Sequence, residues 1–405
     1  MAQIILTDDI ITNKAQEVLE NELVLTRNIN KQYDSAFANE GGKIGDTLRI
    51  RLPDRSLVTD GAALQVQEEV QKYTTLTVQY QKHIGLSFTM ADLTLKIDNF
   101  NELILQPRIS QLAATVDATV AQDSYSQIWN SVGTPGTTPG TLLVLLQAMQ
   151  KLNESAAPMN PRYMTVNPAA NAALVQGLSG LFNSAPTISS QFKSGYMGSN
   201  VVGYQDIQMS QSIPVHTTGT RSTSDTILVN GTISTQGQST ISIDGGSGSA
   251  TVTKGDVFTV AGVYAVNPQT RVSTLSLQQF VVTAANTASG GAWTDIQVQP
   301  AMYTPVSALA TISAFPQDGA VITFIGAAST AYPQNLVYHK DAIAMVTCDL
   351  KLPTNTEMAA RSVYNGVSLR LVKDYNIQND QDPTRVDVLF GSKVIRPELA
   401  VRVWG

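Results

Sequence analysis

The chain has 405 residues, 26 basic and 32 acidic side chains, a formal net charge of −6, 14% charged residues and 43% hydrophobic ones. That length is long for a single core and points to two or more domains. With no Lys/Arg run, the sequence excludes a tight grip on nucleic acid, which needs clustered bases to displace counterions.

The charged fraction is low against the usual ~25% of globular domains. Thr, Ser, Gln, Asn and Ala take its place, and such a surface suits extended contacts with other protein. The N-terminus, "MAQIILTDDIITNK", has no basic segment ahead of an apolar core and does not read as a signal peptide. No apolar run approaches the roughly 18 residues of a membrane span. The single cysteine, Cys348 in "AMVTCDL", cannot form an internal disulfide. It points to a reducing compartment and reads as a small buried residue on a strand.

Residues 7–29 read as an amphipathic helix. Thr7 can cap it, Asp8 and Asp9 sit where the helix dipole favours acids, and Ile11, Ala15, Val18, Leu19 and Leu23 form one stripe. After a polar stretch ending in "NEGGKIGD", "DTLRIRLP" alternates Leu48, Ile50 and Leu52 against Arg49 and Arg51. "YTTLTVQYQKHIGLSFT" alternates through Leu76, Val78 and Tyr80. With the polar segment Asp54–Lys72 between them, the two read as an extended hairpin, too thin to be stable without a partner surface.

Residues 91–131 carry a long helical pattern. Ile109, Leu112, Val116 and Val120 form one face, and Ser110, Gln111, Thr115, Asp117 and Gln122 the other; Pro107 kinks the helix or starts its main section. "SVGTPGTTPGT" is a loop. A helix, a strand ("RYMTVNP") and a helix opened by Pro168 follow, then short strands in "SGYMGSNVVGYQDIQMSQSIPVHTTGT".

From about Thr217 the sequence turns rich in Ser, Thr and Gly and poor in helix formers. Residues 217–330 read as all-β, with roughly six short strands in a small barrel or sandwich and a hairpin turn at Asn230-Gly231. "VTKGDVFTVAGVYAVNPQ" lies inside it, with Lys254-Gly255-Asp256 as a tight turn and no chemistry assigned to it. A mixed core resumes after 330 and ends in strands running to Trp404 and Gly405. The organisation is an α+β body interrupted by an all-β insert.

Catalytic constellations are not found. "NEGGKIGD" lacks the spacing of a phosphate-binding loop, and "GGSGSA" at Gly245–Ala250 has no helix after it. His83, His216 and His339 are isolated and read as singly hydrogen-bonded histidines. "DYNIQNDQDPTR" departs from the calcium-loop pattern and reads as a solvated turn, with Asp382 before Pro383. No catalytic, cofactor-binding or metal-ligating residue is assigned, and no cofactor is expected.

The order of parts carries a resemblance. "GYMGSNVVGYQDIQMSQSIPVHT" at Gly195–Thr217, "KGDVFTVAGV" at Lys254–Val263, "QFVVTAANTASGGAWTDIQVQPA" at Gln279–Ala301 and "NLVYHKDAIAMV" at Asn335–Val346 stand in sequence. Together they resemble the major capsid proteins of tailed bacteriophages, and more narrowly the lambdoid short-tailed phage coat proteins with a β-barrel insertion domain.

The resemblance implies the tailed-phage capsid fold. It would divide the chain into an N-terminal helical arm (1–45), an extended hairpin loop lying along a neighbouring subunit (46–90), a spine helix (91–131), an axial-domain α/β core (132–216), an inserted barrel on the outer surface (217–330) and returning axial and peripheral strands (331–405). It implies a non-enzymatic subunit that assembles with itself into pentamers and hexamers of an icosahedral virion shell, formed in the host cytoplasm around double-stranded DNA that it does not bind specifically. A scaffolding protein and a portal would be partners, a membrane would not, and a procapsid would mature by conformational switching. The family's insert can carry a charged loop bridging capsomers; here Val229–Ser239, "VNGTISTQGQS", has no charge, so bridging would rest on hydrogen bonds. The alternatives are another assembly subunit, such as a tail tube or surface-lattice protein, and an enzyme with a β lid built around His339, Asp341 and a serine.

Overall fold

The computed structural model describes residues 8–31, 47–58, 61–62, 66, 72–88, 106–178, 198–221, 225–356, 358–377 and 382–405. Two compact units account for them. The first draws on Met1–Ile50, Tyr73–Ala121 and Ile343–Ile395, the second on Arg51–Lys72, Gln122–Ala342 and Arg396–Gly405.

The helices are α1 (Asp8–Glu22), α2 (Leu25–Asn28), α3 (Gln106–Tyr125), α4 (Leu142–Glu154) and α5 (Pro168–Leu178). The strands begin with β1 (Thr47–Arg51), β2 (Tyr73–Thr77), β3 (Tyr80–Phe88), β4 (Ser131–Val132), β5 (Arg162–Val166), β6 (Gly198–Val201), β7 (Tyr204–Met209) and β8 (Val215–Thr217). Next come β9 (Leu228–Val229), β10 (Gln238–Asp244), β11 (Thr251–Val252), β12 (Val257–Val266), β13 (Ser273–Val282), β14 (Asn286–Thr287), β15 (Trp293–Met302) and β16 (Ile322–Phe324). The chain closes with β17 (Ala331–His339), β18 (Ile343–Thr347), β19 (Met358–Tyr364), β20 (Val367–Lys373), β21 (Asp382–Val394) and β22 (Ala400–Trp404).

In the first unit, β18-β21-β20-β19 form a sheet, and β3 joins it along nine residues of β21. The expected long strand through Leu76, Val78 and Tyr80 therefore divides at Gln79. β2 pairs with β1, while β3 pairs with β21 and not with the rest of the hairpin. The alternation continues across the break, so periodicity alone could not show it. Gly391 on β21 lets Thr77 approach: a Cβ there would overlap the Thr77 carbonyl oxygen. Helix α1 lies against β19 and β20, with Ala15, Leu19 and Leu23 buried as the stripe requires. The single helix expected over 7–29 is two, broken at Leu23–Val24. In α3, Pro107 is the second residue, where its missing N–H costs nothing. The helical pattern expected over 91–105 lies outside the described residues.

The second unit holds a sheet ordered β4-β22-β17-β5-β7-β6, with β8 on β17. Its central strands are covered on both faces: all five residues of β22 are buried, Arg402 among them. The same unit holds a six-stranded sheet, β16-β12-β13-β15-β10-β9. Its edge strands meet: Val229 N donates to Ala320 O at 2.9 Å and Ile322 N to Ile227 O at 2.9 Å. Phe258, Phe280, Trp293, Ile243 and Met302 lie in its own buried cluster. Asn230-Gly231 is not a two-residue hairpin, because Val229 pairs with Ile243 and the connection is long; the Gly231 N–H is taken instead by Asp318 at 2.8 Å.

Candidate functional site

The densest polar chemistry of the second unit gathers around a residue that the turn reading left inert. Gly255 takes φ +99° in the expected Lys254-Gly255-Asp256 turn, and a Cβ there would press on Tyr125 and His216 at 3.1–3.2 Å. That close approach delivers Asp256, fully buried, to a set of donors. His216 Nε2 donates to Asp256 Oδ1 at 3.0 Å, and Arg221 Nη1 to Oδ2 at 3.1 Å. The backbone N–H groups of Thr253 and Gly219 donate to Oδ2 at 2.9 and 3.2 Å. Burial works to raise the Asp256 pKa, but the His216 hydrogen bond and the Arg221 charge outweigh it and hold the carboxyl below the usual range.

The other members lie on β8, β17 and β22 and at the end of α3. The Tyr125 hydroxyl lies 3.5 Å from His216 Nδ1, Arg402 Nη2 donates to Gly255 O at 2.9 Å, and the His216 and Tyr332 rings pack against Trp404. Arg221 also stacks over Phe324, 4.2 Å from the ring centroid. Asp256 thus ties the turn to β8, and the Gly255 carbonyl ties it to β22.

A second buried aspartate anchors the first unit. Asp117, assigned by spacing to the polar face of its helix, is 3% exposed. Its Oδ2 accepts the Val24 and Leu25 N–H groups at 2.6 and 3.2 Å, and its Oδ1 accepts the Thr26 N–H at 3.0 Å and the Thr26 hydroxyl. These are the amides freed where α1 ends and α2 begins, so a carboxylate from α3 supplies the cap that no local residue provides. Burial is the largest influence on Asp117 and raises its pKa despite these bonds.

Of the other residues singled out, His83 is exposed on β3. His339 Nε2 lies 3.3 Å from Asn160 O, while its Nδ1 accepts the Asp341 N–H at 3.2 Å, with the Asp341 carboxylate 3.7 Å away. The described residues bring no serine hydroxyl into hydrogen bonding with it, as the β-lid enzyme would require. His216 departs from the singly bonded expectation, since it joins an ion pair from a distant turn. Cys348 is buried, one residue past β18. Among the described residues no three His, Cys, Asp or Glu side chains converge as metal ligands. A cavity of about 60 Å³ in the second unit is lined by Arg55, Lys151, Glu154 and Glu398 among others. These pair as Arg55–Glu398 at 3.5 Å and Lys151–Glu154 at 3.6 Å, which leaves no free acid and base to work together. No helix among the described residues is long and apolar enough to cross a membrane.

Sequence reasoning missed Asp117, Asp256 and Arg402. Signals existed for two of them. Asp117 has Ala113, Val120 and Ala121 as its helical neighbours, all buried. Arg402 stands between Val401 and Val403 in a strand with no polar face. Nothing local marks Asp256, whose side-chain partners His216 and Arg221 come from 40 and 35 residues earlier in the chain.

Comparison with solved structures finds a chain of Mycobacterium phage Che8 that is 12% identical, with 94% of this chain and 90% of that chain covered at a TM-score of 0.46. The capsid structure of the cyanophage P-SCSP1u is 12% identical, with 91% and 85% covered at 0.44. The CUS-3 coat protein I-domain is 25% identical, covering 25% of this chain and 96% of that one, at 0.19. Comparison with curated proteins finds no match. The family model of the P22 coat protein, gene protein 5, matches residues 3–405. With that match spanning nearly its whole length, the chain belongs to the P22 coat protein family and is a major capsid protein, a structural subunit of an icosahedral virion shell.

Proposed function

We propose that the chain forms its shell as pentamers and hexamers of itself around packaged double-stranded DNA, without catalysis, on a tailed-phage capsid fold whose residues 217–330 are an inserted barrel. The observation that carries this reading is the family match over residues 3–405. The barrel is supported by the bonds that join the edges of the six-stranded sheet and by the separate apolar cluster inside it. The net charge of −6 without a basic run fits a wall that encloses DNA and does not adhere to it. A scaffolding protein and a portal complete the proposed partners, and the host cytoplasm is the proposed place of assembly. Electron microscopy of the chain produced together with its scaffolding protein tests the reading. Closed icosahedral shells are expected; tubes, flat lattices or unassembled monomers would overturn it.

A further inference from the structure

One face of the β4-β22-β17 sheet carries a positive charge that nothing on it balances. Arg402 is fully buried and makes one hydrogen bond, from Nη2 to Gly255 O; its Nε and Nη1 have no partner. Asp256, the acid that acts on it, has both oxygens occupied by His216, Arg221, Thr253 and Gly219. Even with His216 uncharged, Arg221 and Arg402 against Asp256 leave one buried positive charge. Burial pushes the Arg402 guanidinium down to about 10, so it is still protonated at neutral pH. Its contacts with the Trp404 and Tyr125 rings, at 5.3 and 5.8 Å, lie over ring faces and do not occupy the N–H groups in the guanidinium plane.

The register collects more unpaired donors beside it. Ser131 is the parallel partner of Arg402, Trp404 lies two residues along β22, and Gln334 is the antiparallel partner of Trp404. Opposed and alternate residues share a face, so these four side chains stand together. Ser131 Oγ, Trp404 Nε1 and Gln334 Oε1 are also buried without a partner. Five of the eleven such atoms among the described residues therefore fall on this one face. Leaving buried polar groups so is costly, and leaving a buried charge unbalanced is costlier.

Three of the five, Arg402 Nε and Nη1 and Trp404 Nε1, can only donate, the Ser131 hydroxyl can turn to donate, and Gln334 Oε1 alone is purely an acceptor, which favours a species that accepts and carries negative charge. The charge to be balanced is a single one, which favours a monovalent species. We propose that this face is a buried binding site for one small monovalent anion such as a halide, held by Arg402, Trp404 and Ser131.

Denaturant unfolding of the full-length subunit in sodium chloride or sodium bromide, against sodium gluconate at equal ionic strength, tests it. Above the dissociation constant, each tenfold rise in halide should raise the folded-to-unfolded ratio tenfold, and gluconate should not. General salt effects act on all variants alike, so the difference between variants is decisive. Arg402→Met should abolish the halide dependence. Trp404→Phe, which keeps a ring and removes one donor, and Ser131→Ala should each weaken it several-fold, and they carry the test if Arg402→Met does not fold. Equal stability in halide and gluconate would mean that water alone fills the face, and would overturn the proposal. A halide effect that survives in all the variants would overturn it too, by placing the ion elsewhere.

Discussion

Asp117 in the first unit and Asp256 in the second are both aspartates removed from water, yet their surroundings push them in opposite directions. Asp117 sees only dipoles, three backbone N–H groups and a hydroxyl, and burial wins, so its pKa rises. Asp256 sees dipoles and cations, and its pKa falls. A carboxylate that terminates helices can be held by geometry alone, whereas one that ties a turn to distant strands is held by charge. The second arrangement creates mutual dependence: without Asp256, Arg221 and His216 would be left buried and unpaired.

Removing each carboxylate tests the contrast most strongly. Asp256→Ala should cost about 3–5 kcal/mol, the usual loss when one partner of a buried ion pair is deleted. Hydrogen exchange should show the loss at the Gly219 and Thr253 amides, which donate to Asp256. Asp117→Ala should cost less, about 1–3 kcal/mol, because it strands neutral amides and no charge. That loss should appear at the Val24, Leu25 and Thr26 amides. Equal losses, or a larger one for Asp117, would break the distinction between charge and geometry.

Acid should separate the two sites by sign. Asp256 has a folded pKa below the ordinary 3.8, so the unfolded chain takes up the proton first. Its contribution is complete above about 3.8 and is lost as pH falls through the folded value. Asp117 has a folded pKa above 3.8, so the folded chain takes up the proton first. Its contribution is greatest below 3.8 and shrinks as pH rises through the window up to the folded value. Urea unfolding from pH 2.5 to 7, a range on the order of the window these shifts span, reads both slopes. Asp256→Asn should flatten the acid loss, and Asp117→Asn should remove the opposing slope. A wild-type acid profile that persists in Asp256→Asn would show that other carboxylates set it.

What the sequence revealed follows from how local each signal is. The stripe of α1, the start of α3 near Pro107 and the helix opened by Pro168 rest on neighbours within a turn or two, and each is legible. The partition of the strand-like run at Gln79 is set by β21, some 300 residues later, and spacing could not show it. The same holds for the Asp256 cluster, where the turn was readable and its consequence was not. A tight turn is written in three residues, but what its last side chain meets is written in β8 and just after it, at His216, Gly219 and Arg221.

The smallest expected effect sharpens the geometric half of the comparison. Thr26 gives Asp117 both its N–H and its hydroxyl, the one side-chain donor to that carboxylate among the bonds described. Thr26→Val keeps the shape and the amide but removes the hydroxyl, and should cost about 1 kcal/mol, the net worth of one buried hydrogen bond, with somewhat more for the lone pair it exposes. Thr26→Ser restores the donor and loses only a methyl group, so its loss should be about 1 kcal/mol or less. More telling is the pH dependence. The hydroxyl favours the ionised carboxylate, so Thr26→Val should raise the Asp117 pKa further and extend its window upward, while Thr26→Ser should leave it in place. If Val and Ser variants shift that window equally, the hydroxyl contributes packing alone, and the backbone amides are what hold the charge.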